Sequence, residues 1–73
     1  MFVNVTKIHA KLKELSMSVE DAAKQMGIDR STLYRKLNNN GAGLTVRDAQ
    51  LLVSILHLTQ QEALAIFFAQ EVA

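Results

Sequence analysis

Apolar residues recur at helical spacing along almost the whole 73-residue chain, and polar residues separate five such segments. In the first segment Val5, Ile8 and Leu12 share one stripe, which is typical of an amphipathic helix packed on a core. Proline is absent, and no short window alternates cleanly with β-branched residues. The pattern therefore predicts an all-α domain of five helices.

Capping residues mark where the predicted helices begin. Ser18, Thr45 and Thr59 each stand before an apolar segment and have an acidic residue three positions later, which is the signature of a capping box. The polar run 38–43 is the one clear loop. The predicted helices run from about 5 to 15, from 19 to 26, from 30 to 37 or 38, from 46 to about 57, and from 60 through Phe68 into the tail.

The second and third predicted helices are short and are separated by a glycine. Gly27 takes up a left-handed conformation without steric cost, so the chain can turn sharply there and return Ile28 towards the core. Asp29 is expected to cap the helix that follows. Two helices joined in this way are the layout of a DNA-reading helix-turn-helix.

The third predicted helix has a polar arc that suits DNA. Leu33 and Leu37 define its buried side, and the opposite arc is polar. An arginine fork matches two acceptors on guanine, and hydroxyl groups donate to bases or phosphates. We expect base contacts from Arg30, Ser31, Thr32 and Arg35.

Phosphate contacts are expected around this helix. Helix N-termini attract anions through their free amides, and flexible polar side chains reach the same backbone. For Tyr34, ring packing is an equal alternative, and for Lys36 and Arg47 a purely solvated role is an equal alternative. For Asn38, a structural role at the end of the helix is the favoured interpretation, and a phosphate contact would be an addition to it. The candidate phosphate-binding residues are Ser18, Tyr34, Lys36, Asn38, Thr45 and Arg47.

The net charge is only +1, but the charges are unevenly distributed. Residues 1–47 hold all eight lysines and arginines and carry a net charge of +4, whereas residues 48–73 contain no basic residue and carry −3. This division indicates one side that faces phosphates and another with a different use.

The fourth and fifth predicted helices are too apolar for a surface layer. The fourth is apolar around most of its circumference, so we predict that it is the central helix. A monomer of this size cannot easily hide the apolar residues of the fifth helix as well. We predict a homodimer interface; the alternative is that Leu64 and Phe68 close the core. The predicted interface residues are Leu64, Phe67 and Phe68.

Composition argues against an enzyme, a metal site and a membrane span. Cysteine is absent, His9 and His57 are isolated, and no glycine-rich phosphate cradle is present, so we expect no metal, cofactor or small-molecule substrate. No apolar run approaches the roughly 20 residues that cross a bilayer, and the first residues lack the pattern of a signal peptide. We expect a single soluble domain over residues 1–73, located in the cytoplasm.

These segments resemble the DNA-binding domain of the phage Cro/CI-type repressors, the large xenobiotic-response-element-type helix-turn-helix family. The family pattern is matched by Ala23, by Gly27 four residues later, and by apolar Ile28 and Leu33. The resemblance covers nearly the whole chain. The string 27–37 is also similar to the terminal motif of Fis-like proteins.

The resemblance implies a lambda-repressor-like fold of five helices with a helix-turn-helix at the second and third. It also implies a transcriptional repressor of a phage or prophage that binds a double-stranded DNA operator as a dimer in a bacterial cell. Two positions depart from the family pattern: Val19 stands where many members have a phosphate-contacting glutamine, and Lys36 stands where an apolar residue is usual. The alternative function is a protein-interaction module, such as an antitoxin or antirepressor-type partner, that uses the apolar surface of the last two helices.

Overall fold

A computed structural model describes residues 3–68, and within that range the chain forms five α-helices and no strand. The prediction of an all-α fold is confirmed, and the predicted continuation of the last helix into the tail lies outside the described residues. The helices are Val5–Glu14 (α1), Val19–Met26 (α2), Arg30–Gly41 (α3), Val46–Ile55 (α4) and Gln60–Phe67 (α5).

Three helices begin with complete capping boxes, as predicted. In each box the cap hydroxyl accepts the N–H of the third helical residue, and the carboxylate of that residue accepts the N–H of the cap, at distances of 2.9–3.1 Å. These reciprocal bonds satisfy amides that have no partner within the helix. The pairs are Ser18 with Asp21, Thr45 with Asp48, and Thr59 with Glu62.

The start of α3 is different. Asp29 occupies the N-cap position with an extended backbone, but its side chain makes no capping hydrogen bond. The prediction that the Asp29 side chain caps this helix is therefore wrong.

Helices α1, α2 and α4 end in the same left-handed turn. The residue with positive φ is Ser16, Gly27 or His57, at 54°, 77° and 52°. The next residue donates its N–H to the carbonyl five positions back, at 2.8–3.0 Å, and its partly buried side chain packs against the core, as in a Schellman motif. The bonds run from Met17 to Leu12, from Ile28 to Ala23, and from Leu58 to Val53.

Replacing His57 with glycine is expected to stabilise the protein. The left-handed conformation is unfavourable for a residue with a Cβ atom, and the His57 side chain is exposed. We expect the free energy of unfolding, measured by urea denaturation, to rise by about 0.5–1 kcal/mol. His57→Ala is the control and should bring no such gain. A less stable glycine variant would show that the imidazole itself holds the turn.

Helix α2 packs closely against both α3 and α4. Ala22 and Ala23 are fully buried, and their small side chains let α3 and α4 approach this helix closely. Helix α3 also contacts α1, and α5 packs on α1. Helix α4 buries Leu52, and Leu56 is buried directly after its end, whereas the other apolar side chains of α4 are half-buried or exposed. Because α4 packs chiefly on α2, the prediction that the fourth helix is central is wrong.

The chain leaves α3 through a left-handed turn. Asn38 is extended, and Asn39, Asn40 and Gly41 follow with φ values of 54°, 58° and 74°. The buried Val3 lies on this turn, and its N–H donates to the Asn40 carbonyl at 2.9 Å. The regular part of α3 therefore stops before Asn38, as predicted.

Candidate nucleic-acid interface

The solvent-facing arc of α3 brings the four predicted base-contacting residues together. Arg30, Ser31 and Arg35 are exposed, and Thr32 is half-buried. A guanidinium nitrogen of Arg35, Nη2, lies 3.4 Å from Thr32 Oγ1, at the long end of the hydrogen-bond range. On the opposite side of the helix, Leu33 is only 1% exposed. The helix is thus anchored by its apolar side and presents a row of hydrogen-bond donors to solvent.

A short turn sets α3 against α2. Gly27 has a left-handed backbone, and a Cβ atom built there would meet no other atom within 4 Å. Backbone conformation, not space, therefore favours glycine at this position. The N–H of half-buried Ile28 donates to the Ala23 carbonyl at 3.0 Å, so the turn itself is held by the end of α2.

Three predicted phosphate-binding residues are open to solvent. Tyr34 is 48% exposed, so its hydroxyl can reach a ligand. Asn38 directly follows the regular part of α3, and Arg47 lies in the first turn of α4; both are exposed.

The starts of α2 and α4, at Ser18 and Thr45, are less suited to phosphate binding than predicted. Ser18 and Thr45 are exposed, but their hydroxyls accept amide hydrogens within the capping boxes. A carboxylate stands beside each, and the hydrogen bond from the Ser18 amide, together with that from its hydroxyl, lowers the pKa of Asp21 below its ordinary 3.8. At the start of α2 the negative charge of Asp21 already occupies the positive end of the helix dipole, and it repels a second anion.

Lys36 bridges α3 and α4. Its Nζ lies 2.9 Å from Asp48 Oδ2, and the same oxygen accepts the Thr45 N–H at 3.0 Å. Burial raises the pKa of the Asp48 carboxyl, but the hydrogen bonds from the Thr45 amide and from Lys36 outweigh this effect, so the pKa lies below 3.8. The Lys36 charge is largely neutralised within the fold, so Lys36 is less suited to a phosphate contact than predicted.

Sequence reasoning identified Asp48 only as a capping residue and missed its pairing with Lys36. One signal was present, because Lys36 stands where the resemblance leads one to expect an apolar side chain. A half-buried lysine at the edge of a core needs an anionic partner.

One basic side chain, that of Lys11, forms ion pairs in another part of the molecule. Lys11 Nζ lies 2.8 Å from a Glu14 oxygen and 2.9 Å from a Glu62 oxygen, so it joins α1 to α5. Hydrogen bonds to Glu14 and Glu62 raise the pKa of Lys11 above its ordinary 10.5. This lysine is committed to the helix packing.

The predicted dimer residues lie on different sides of α5. Leu64 in α5 and Phe68 directly after it are 50% and 65% exposed, and the Phe68 N–H donates to the Leu64 carbonyl at 3.0 Å. Phe67 is only 3% exposed, because it shares the inner stripe of the helix with Ile66. The prediction that Phe67 lies in an interface is therefore corrected: Phe67 is a core residue. The alternative that Leu64 and Phe68 close the core is also wrong, because both side chains are exposed.

No protein-family model, curated protein or solved structure matches this chain. Between residues 3 and 68 there is no cluster of three or more histidine, cysteine or acidic side chains that could hold a metal ion. None of the helices in that range combines the length and apolar character of a membrane span.

Proposed function

We propose that this protein is a sequence-specific DNA-binding transcriptional regulator of the phage-repressor type, with α2 and α3 as its helix-turn-helix. The observation that carries the proposal is the exposed arc of Arg30, Ser31 and Arg35 on a helix whose other side is buried. The major groove admits an α-helix, and arginine forks recognise guanine there. Arg30 lies in the first turn, the end of a recognition helix that contacts base edges.

Phosphate contacts on either side of α3 would fix its register on the duplex. Tyr34, Asn38 and Arg47 are exposed, and we propose that they make these contacts. Such contacts carry no sequence information, and the charged contact from Arg47 makes the affinity salt-dependent.

Dimerisation through Leu64 and Phe68 belongs to the same proposal. An exposed apolar pair at the end of α5 favours a partner surface, and repressors of this type bind two half-sites about one helical turn apart, roughly 34 Å. Sedimentation of the wild type and of Leu64→Glu tests this part: the variant should be monomeric where the wild type is dimeric. A regulator of this kind acts in the bacterial cytoplasm.

The same apolar pair favours a second candidate function, a protein-interaction module that binds a larger protein partner through α4 and α5. Val46 at the start of α4 is also 67% exposed. The two functions are distinguished by DNA binding. A transcriptional regulator binds a duplex through α3, whereas an interaction module needs no affinity for DNA.

Selection from a random duplex pool, followed by affinity measurements at about 50 and 200 mM salt, tests the DNA-binding proposal. A DNA reader should enrich one sequence. A dimer in which Arg47 of each subunit neutralises one phosphate should lose affinity by roughly 10-fold between these salt concentrations. If folded protein enriches no sequence and shifts no duplex at low salt, the interaction module is the better function.

The double variant Lys36→Met, Asp48→Asn is expected to leave the salt dependence of DNA binding nearly unchanged. The Lys36 amine and the Asp48 carboxylate neutralise each other, so removing both leaves the charge that faces the phosphates unchanged. The control is Arg47→Met, which removes an exposed cation and should reduce the slope of log affinity against log salt by about 0.9 per subunit. Fluorescence anisotropy at several salt concentrations measures both slopes. An equal decrease of the slope in the two variants would mean that Lys36 breaks its ion pair with Asp48 and contacts a phosphate of the DNA.

A further inference from the structure

Asp29 is an acidic residue at the start of α3 that the fold leaves uncommitted. Its side chain is exposed and makes no capping hydrogen bond, whereas the N-cap side chains of the other four helices each accept an amide hydrogen. The ion pairs found among residues 3–68 involve Lys11 and Lys36 but not Asp29. The carboxylate is therefore free to meet an external donor.

The position of Asp29 puts that carboxylate beside the proposed base-contacting residues. Asp29 directly precedes Arg30, and it lines a shallow cleft together with Thr32 and Lys24. This is the end of α3 that would enter the major groove. A carboxylate there is repelled by phosphates, so a contact is favourable only where a base offers a donor hydrogen.

The hydrogen-bonding groups of the four bases limit which base can donate a hydrogen bond to the Asp29 carboxylate. An ionised carboxylate only accepts hydrogen bonds. In the major groove, cytosine presents its N4 amino group as a donor, whereas adenine presents an acceptor next to its amino group and guanine presents two acceptors. Cytosine is thus the base that suits a carboxylate, as guanine suits the neighbouring arginine.

We infer that Asp29 is a specificity-determining residue that accepts a hydrogen bond from the N4 amino group of a cytosine close to the base pair contacted by Arg30. This inference rests on the proposed DNA-binding function.

Pool selections with the wild type, Asp29→Ala and Asp29→Asn test the inference. The wild type should enrich cytosine at one position of each half-site. Asp29→Ala should lower the discrimination at that position by about 5- to 150-fold, the range expected for one good base contact. Asp29→Asn should shift the preference there towards adenine, because an amide both donates and accepts.

Glu20→Ala is the matched control, since it also removes one exposed carboxylate, from the first turn of α2. It should leave every base preference unchanged. Asp29 makes no capping bond, so its variants should melt close to the wild type, and thermal denaturation checks this.

Two outcomes overturn the inference, and they are distinguishable. If Asp29→Ala and Glu20→Ala strengthen binding to all sequences equally and the wild-type preferences persist, Asp29 only repels phosphate, while the DNA-binding function stands. If the wild type itself enriches no sequence, the inference fails together with the proposed function.

Discussion

Replacing both Arg30 and Arg35 with alanine is expected to abolish sequence-specific DNA binding and to leave the fold intact. Each arginine fork on guanine contributes roughly 1–3 kcal/mol of discrimination, so the loss of two reduces affinity for the selected sequence by about 30- to 10⁴-fold per subunit. Both side chains are exposed, so their removal leaves no cavity in the core.

Fluorescence anisotropy with the selected duplex measures this loss, and circular dichroism melting checks the fold. The matched control is a double variant of Lys7 and Lys13 to alanine, which removes the same formal charge from exposed positions on α1. We expect the control to retain its base preference. A comparable loss in both variants would mean that DNA binding depends on net charge alone.

Gly41→Ala is expected to have the largest effect on stability. Gly41 has a φ of +74°, and a Cβ atom there would lie 2.7 Å from Val3 Cβ. The left-handed conformation costs alanine about 1–2 kcal/mol, and overpacking adds about 1–3 kcal/mol. A 73-residue domain has a total stability of roughly 4–11 kcal/mol, so the variant loses a large part of it.

Gly27→Ala separates the two causes. Gly27 has nearly the same φ, +77°, but a Cβ atom there meets nothing within 4 Å. Urea denaturation should therefore show a loss of only about 1–2 kcal/mol for this variant, clearly smaller than for Gly41→Ala. Equal losses of stability in the two variants would mean that the residues around Val3 move to accommodate the added methyl group at no energetic cost.

Local features of the fold could be predicted from the sequence. A capping box joins residues three positions apart, and apolar spacing within one turn decides which face of a helix is buried. The boxes at Ser18, Thr45 and Thr59 depend on such neighbours alone, and they form as predicted. Asp29 has an equally suitable side chain, but a cap also requires the side chain to turn back onto its helix, which residue type does not determine.

Features that depend on how helices pack could not be predicted. The apolar content of α4 suggested a central helix, but α4 packs chiefly on α2, where the small residues Ala22 and Ala23 let α3 and α4 approach closely. The bond between Lys36 and Asp48 spans 12 positions and two helices. The burial of Phe67 depends on how α5 lies on the rest of the fold. The exposed arc of α3 was predictable because one helix alone contains it.

The most direct test is a map of backbone amide chemical shifts recorded as the selected duplex is added to isotope-labelled protein. We expect the largest changes in the first turn of α3, at Arg30 and Ser31, with further changes at Arg35 and Arg47 and little change on the outer face of α1. Changes confined to the exposed residues of α1 or α5, with α3 unaffected, would contradict DNA recognition by α3.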